Sequence, residues 1–304
     1  MFYQKLTINS VKKLYEQWKY NFGALEKQDF EKSKLAIFQF PYDSTVSFGS
    51  GAKEGPVAIV RNSRFLDEMW SDEKGVLLDG FIDTDIFLLD EFILSRNSAK
   101  EAVDGVTEAV GDWAVSKNKF PLVLGGEHSI TSGVTRALKK KNKNFAVLQI
   151  DAHTDLLNSF EGSKYSHACV MRRILDQNIK ITQVGIRNTN PEVKEFMGRA
   201  DTKKKVTTFY GTDVPVAKIL KSLPKDVYIT IDLDGLDPSI MPSVGTPEPG
   251  GLSWERLLDL LNGVFKSKNI IGADVVELAP IHGFEAPNFL AAKLVYELIK
   301  HKLT

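Results

Sequence analysis

Asp151-Ala-His-Thr-Asp155 packs three metal-ligating side chains into five residues. The segment follows an apolar run, 145–150, that reads as a buried strand, so the three groups crowd the loop just past a strand end. Alternate side chains of an extended loop point the same way, and Asp151, His153 and Asp155 can therefore converge on one point. Brought together without a cation they would repel and desolvate one another. Two carboxylates and an imidazole suit a hard or borderline divalent ion, closer to Mn²⁺ than to a thiolate-seeking metal. A polar turn with Asp caps uses the same residue types, so the segment has to be weighed with its companions elsewhere in the chain.

The companions are a second carboxylate pair and two single groups. Asp232 and Asp234, in Asp232-Leu-Asp-Gly-Leu-Asp-Pro238, are two apart and can face the same side. His128 closes Gly125-Gly-Glu-His128, and Glu277 closes Asp274-Val-Val-Glu277. The carboxylates of Asp151, Asp155, Asp232 and Asp234 with the imidazoles of His128 and His153 are too many for one ion that stays open to substrate. Two ions about 3.5–4 Å apart, sharing bridging carboxylates, can take them. Asp237, before Pro238, reads as the brace of the following turn. The proline-rich loop 242–251 is stiff enough to wall such a site.

The elements that must position these groups alternate regularly. Strands are expected at 35–40, 120–124, 145–150, 179–186, 206–209, 226–231 and 270–276. Helices are expected from Gly55-Pro56, from Ser98, up to about Lys140, and over 167–176, 191–197, 214–223, 254–265 and 286–302. The Ser98 helix carries Ala102, Val103, Val106, Ala109, Val110 and Trp113 at helical spacing. Alternating strands and helices predict an α/β fold: one mostly parallel sheet covered by helices on both faces, three layers in all. A single domain over 1–304 is expected, with 1–33 as an arm, including a helix over Val11–Tyr20, and Asp72–Asp85 as an acidic irregular segment flanking one or two short strands. Ligands of an open parallel sheet bind outside the carboxyl ends of its strands. His128, Asp151, Asp232 and Glu277 each stand just past one such end.

Bulk properties narrow the function. Thirty-nine acids balance thirty-nine Lys and Arg, and nothing in that balance suggests a surface for nucleic acid or an anionic membrane. No apolar run reaches spanning length and the N-terminus lacks a secretory apolar core, so a cytoplasmic protein is expected. The single cysteine, Cys169, rules out a thiolate cluster and reads as a packed residue. The glycine-rich loops at 49–55 and 125–126 have neither dinucleotide nor P-loop spacing, which argues against a nucleotide-binding protein.

Taken in order, Gly125-Gly-Glu-His-Ser129, Asp151-Ala-His-Thr-Asp155, Asp232-Leu-Asp-Gly-Leu-Asp-Pro238, Gly245-Thr-Pro-Glu-Pro-Gly-Gly251 and Asp274-Val-Val-Glu277 resemble the signatures of the ureohydrolases, the arginase and agmatinase family. Phe48-Gly-Ser-Gly51 with Gly55-Pro-Val-Ala-Ile-Val-Arg61 resembles that family's early segment, and the likeness runs over about 35–300. It implies an arginase-type α/β/α fold and two Mn²⁺ per chain. One ion would take His128, Asp151, Asp155 and Asp232, and the other Asp151, His153, Asp232 and Asp234. Two dications lower the pKa of a bridging water enough to supply hydroxide near neutral pH, for attack on a guanidinium carbon and release of urea and an amine. By the same resemblance His167 shuttles a proton to the leaving amine, Glu277 binds the guanidinium, and Asp155 belongs with them among the catalytic groups.

Substrate choice rests on departures from the arginases. Leu157 stands where arginases place an Asn for the amino-acid head group, and Asn190 where they place an acid. Ala168 replaces the usual Gly after the shuttle histidine, and Ser243-Val244 the usual small pair. Thr246-Pro-Glu-Pro249 and Tyr165-Ser-His167 look like agmatinases, so agmatine is the first expectation among small guanidino compounds. Aminopropylagmatine, guanidinobutyrate, arginine and formimidoylglutamate are alternatives, as is a non-catalytic metal-binding member of the fold. A one-zinc deacetylase is disfavoured by His153 and Asp234 together. The resemblance also implies a homo-oligomer, a trimer or hexamer.

Overall fold

The computed structural model describes residues 20–24, 28–66 and 85–304. Of the expected helix over 11–20 and the acidic segment 72–85, residues 11–19 and 72–84 lie outside the described residues. Among the described residues eight parallel strands form one sheet: β1 Leu35–Phe40, β2 Ile86–Glu91, β3 Phe120–Gly125, β4 Ala146–Ile150, β5 Lys180–Ile186, β6 Val206–Tyr210, β7 Asp226–Asp232 and β8 Asn269–Val276. β1, β3 and β4 are buried at every residue, which is why they read as near-continuous apolar runs, interrupted at Gln39 and Gln149, rather than as alternating patterns. The strand beside the acidic segment is β2, an edge strand paired with β1.

The helices are α1 Gly55–Ser63, α2 Ala99–Val110, α3 Thr131–Lys139, α4 Val170–Asp176, α5 Pro191–Gly198, α6 Ala200–Lys203, α7 Val216–Ser222, α8 Trp254–Ser267 and α9 Ala286–Leu303. One face of the sheet packs on Ile59, Ile219, Leu257 and Val295 from α1, α7, α8 and α9. The other packs on Val106, Val134, Ile174 and Val193 from α2, α3, α4 and α5. The expected three-layer arrangement is thus present. Ser98 and Ser253 cap α2 and α8 by accepting the Glu101 and Arg256 amides, each stabilising its helix by about 1 kcal/mol.

Two details depart from the sequence reading. Ala102, Val103, Val106 and Val110 are buried as expected, but α2 ends at Val110 and continues as a π turn over Gly111–Val115. The wider turn shifts the register, so Trp113 leaves the buried stripe and is 43% exposed. Its ring instead meets Phe30 edge-on at 5.3 Å. The helix expected from 214 starts at Val216: the Pro215 ring disfavours helical backbone at the preceding Val214, and Pro215 stands as the N-cap.

The sheet order β2-β1-β3-β8-β7-β4-β5-β6 decides where chemistry can happen. β3, β8, β7 and β4 are neighbours, so the tips bearing His128, Glu277, Asp232 and Asp151 fall within roughly 14 Å at a strand spacing of about 4.8 Å. The tips also approach closely as backbone. A Cβ on Gly235 would stand 2.8 Å from the Asp151 nitrogen, and one on Gly126 only 1.9 Å from the Tyr42 carbonyl oxygen. Glycine is what lets these loops touch.

Candidate metal centre and active-site cavity

A polar rung crosses the otherwise apolar sheet beneath the strand tips. Thr208, Gln183, Gln149, Thr230 and Asp274 are successive register partners on β6, β5, β4, β7 and β8. Thr208 donates to Gln183 at 2.9 Å, Gln183 to Gln149 at 2.6 Å, and Gln149 to the Asp151 carboxylate at 2.6 Å. Thr230 donates to Asp274 at 2.5 Å. Because side chains alternate along a strand, the positions two residues on, Asp151 and Asp232, lie on the same face one step nearer the tips.

The rung sets which nitrogen of a neutral His128 keeps its hydrogen. Thr230 spends its one hydroxyl proton on Asp274, so at 2.8 Å it can only accept from Nε2 of His128. Nδ1 of neutral His128 then carries the lone pair. That atom is buried and makes no hydrogen bond, although Oδ2 of Asp155, Asp151 and Asp232 stand 3.1, 3.3 and 3.3 Å away. An orphaned imidazole nitrogen ringed by three carboxylate oxygens has the donor set of a divalent-cation site.

A second cluster adjoins the first. Nδ1 of His153 lies 2.9 Å from Asp234 Oδ2 and 3.8 Å from Asp151 Oδ1. Ligand atoms of His128, Asp151 and Asp232 all lie within 4.8 Å of one another, and so do those of Asp151, His153 and Asp234. Asp151 belongs to both groups, so the residues present fit a pair of ions. Asp232, expected to reach both, turns Oδ2 to His128 and takes the Asp234 amide on Oδ1 at 2.9 Å.

Electrostatics agree with a cluster built to hold positive charge. Burial, then the Asp155 and Asp234 charges, push Asp151 up to about 7. Burial and the Asp234 and Asp151 charges hold Asp232 well above the usual carboxylate range. Burial alone would lower both imidazoles, but the carboxylates outweigh it: His128 rises well above its ordinary value and His153 reaches about 10. Burial would likewise raise Asp234, yet the His153 contact pulls it down to about 2.

Both clusters floor a cavity of about 140 Å³ that Glu277 and His167 also line. Glu277 Oε1 accepts the His128 amide at 2.6 Å, and burial, then Glu127, holds this carboxyl well above its usual range. Glu277 and Asp155 have φ of 66° and 51°. Such backbone costs non-glycine residues of order 1–3 kcal/mol and persists where the surroundings impose it. His167 starts a short 3-10 turn after Ser166, edge-on to Phe160 at 5.8 Å. A side cavity of about 100 Å³ shares His153, Asp155 and Ala168 with the first and includes Leu157 and Asn190. The Asn190 side chain caps α5 through the Val193 amide at 2.9 Å.

Other residues behave as read or were missed. Asp237 braces the following loop through the amides of Ser239, Gly250 and Gly251. Cys169 is buried, and burial with the Asp155 charge pushes its thiol up to about 11. Thr230 and Arg187 escaped the sequence reading, and Asp274 enters it only as part of a motif, with no role of its own. Arg187 donates to the carbonyls of Asp234 and Glu248, both at 2.6 Å, and so ties the Asp234 turn to the proline loop. Polar residues at period two inside β4 and β7 were the available signal for the rung; nothing local marked Arg187.

The chain matches the sequence profile of the arginase family over residues 33–300. It is 37% identical over 281 residues to the N(1)-aminopropylagmatine ureohydrolase of Thermus thermophilus, covering 89% of this chain and 90% of that one. It is 34% identical over 285 residues to the agmatinase of Bacillus cereus, covering 89% and 92%. The crystal structure of the agmatine ureohydrolase of Thermoplasma volcanium superposes with a TM-score of 0.79 at 30% identity, covering 97% of each chain.

Proposed function

The chain belongs to the arginase family, and on that premise we propose that it hydrolyses agmatine to urea and putrescine at a two-manganese centre. The observation that carries the substrate class is the lining of the two cavities. Asp155, Asp232, Asp234 and Glu277 line the main one with His153 and His167, and neither cavity includes a Lys or Arg among the described residues. With the ions bound, their charge offsets the Asp ligands, so Glu277 is the lining acid left to pair with a cation and no Lys or Arg is there to pair with a carboxylate; such a lining favours a substrate that is cationic and carries no carboxylate. Agmatine is of that kind; arginine is not.

His128, Asp151, Asp155 and Asp232 would hold one ion, and Asp151, His153, Asp232 and Asp234 the other. A bound pair of this kind supplies a water acidic enough to ionise near neutral pH. Glu277 accepts from the guanidinium N–H groups side by side, an alignment suited to a carboxylate, and its tie to the His128 amide keeps it in place. His167 gives the leaving nitrogen its proton, a task within the reach of imidazole at neutral pH. The ring of Phe160 limits how that imidazole can turn.

One observation favours a second reading, aminopropylagmatine. The side cavity extends the site past Ala168 and offers room and polar groups for a longer amine tail. The experiment is a urea-release panel on Mn²⁺-loaded protein with agmatine, aminopropylagmatine, guanidinobutyrate, formimidoylglutamate and L-arginine. Agmatine is expected to give the highest kcat/KM. A higher value for aminopropylagmatine moves the assignment to the second reading, and a higher value for arginine or guanidinobutyrate ends both.

A further inference from the structure

Glu127 is fully buried and its carboxylate is crowded with donors. Oε2 accepts the amides of Ser44 and Thr45 at 2.7 and 2.6 Å, and Oε1 accepts the hydroxyls of Thr45 and Ser129, both at 2.6 Å. The arrangement pins the 44–48 loop to the exit of β3, beside His128. The same loop reaches His167. Thr45 Oγ1 accepts the His167 amide at 3.0 Å and lies 3.4 Å from Nδ1; Ser47 Oγ lies 3.4 Å from Nε2.

The direction of these hydrogen bonds follows from counting protons. A threonine hydroxyl has one hydrogen and two lone pairs. Thr45 gives its hydrogen to Glu127, so toward His167 it can only accept. One lone pair takes the His167 amide, and the other faces Nδ1. Ser166 Oγ, 3.3 Å from Nδ1, is a second oxygen before the same nitrogen. Nδ1 is therefore the ring atom that keeps a hydrogen, and Nε2, beside the cavity-lining Ser47, is the one free to change state.

We propose that Thr45, held by Glu127, is the positioning residue that fixes His167 as the Nδ1–H tautomer and makes Nε2 the atom that exchanges the proton. The inference rests on the reading of His167 as the proton donor. As the guanidino C–N bond breaks, its electron pair goes to the leaving nitrogen. The Nε2–H bond of the imidazolium breaks with it, and that proton forms the new N–H bond of the amine. What remains is neutral imidazole protonated at Nδ1, the form that Thr45 accepts from. Water returns the proton to Nε2 for the next cycle.

Three variants of the Mn²⁺-loaded protein test this: Thr45→Val, which keeps shape and loses the oxygen; Thr45→Ser, which keeps the oxygen; and His167→Asn. Thr45→Val should lower kcat about 10- to 100-fold, a share of the roughly 100-fold or more that a placed general acid contributes, with KM and bound manganese unchanged. Thr45→Ser should restore kcat to within about twofold. Nitrogen NMR of histidine-labelled protein loaded with diamagnetic Mg²⁺, with His167 assigned by its loss in His167→Asn, should show the neutral ring protonated at Nδ1. Full kcat in Thr45→Val while His167→Asn is crippled overturns the positioning role and leaves His167 its own. Full kcat in His167→Asn overturns the parent reading and the proposal with it. If Thr45→Val fails to fold or loses metal, the NMR experiment on the unaltered protein decides, and an Nε2–H ring overturns the proposal.

Discussion

Metal loading should expel protons, and the number is readable from the site. In the metal-free protein His153, raised to about 10, and His128, raised well above its ordinary value, both hold a proton at neutral pH. Asp151, near 7, holds part of a third. Ligation requires neutral imidazoles and ionised carboxylates, so the ions must displace these protons. The sign is fixed by the direction of the shifts: groups that bind protons more tightly in the empty site make affinity rise with pH. With at least the two imidazole protons released, and more where Asp232 also holds one, the overall binding constant for the pair should grow at least about 100-fold per pH unit between about pH 7 and 9, equivalent to roughly 2.7 kcal/mol per unit. Titration calorimetry with Mn²⁺ in two buffers of different ionisation heat measures the count directly. At least about two protons per chain are expected, and about one fewer in His153→Asn. Heats independent of buffer, together with an affinity flat across that range, would refute the electrostatic account of the cluster.

The metal-free protein should lose stability as pH rises. The folded pKa of His153 lies above its ordinary 6.5, so its contribution is fully present below 6.5 and is lost as pH climbs through about 10; urea denaturation of unaltered and His153→Asn protein across that window shows whether the slope belongs to this residue. Asp274→Asn should weaken metal binding about 10- to 100-fold, because the Asp274–Thr230–His128 chain orients a ligand from behind; equilibrium dialysis against Mn²⁺ reads it, and unchanged affinity sinks the relay. Gly126→Ala should destabilise the fold by roughly 3 kcal/mol, since a Cβ would meet the Tyr42 backbone. Thermal melts of metal-loaded protein check this, and a melt within a degree or so of the unaltered chain would show the loops can part freely.

Much of this protein is decided locally, and that part is legible in its residues. Buried strands read as apolar runs, Ser98 and Ser253 announce helix starts, and Asp237 before Pro238 makes the brace it should. The ligand types also sit at period two past the strand ends, so Asp151, His153 and Asp155 had to lie near a tip wherever β4 fell; which cluster each joins was not local, for Asp155 at φ 51° turns to His128 and His153 to Asp234. Local pattern failed where the backbone itself changed: the π turn after Val110 moved Trp113 off the stripe its spacing assigned it.

What the residues could not determine is which strand lies beside which. Interior strands of a parallel sheet are chemically alike, and crossovers, helix packing and chain closure select their order. Only the fold inserts β8 between β3 and β7, and so sets Glu277 on the His128 amide 149 residues away. Only the fold lays Thr45 against His167, 122 residues apart, and threads Arg187 among the carbonyls of the Asp234 turn. The ligands are therefore a property of the sequence. Their convergence on a shared Asp151, with the tautomer of neutral His128 set through Thr230, belongs to the tertiary structure, because it depends on distances between segments that no local preference controls.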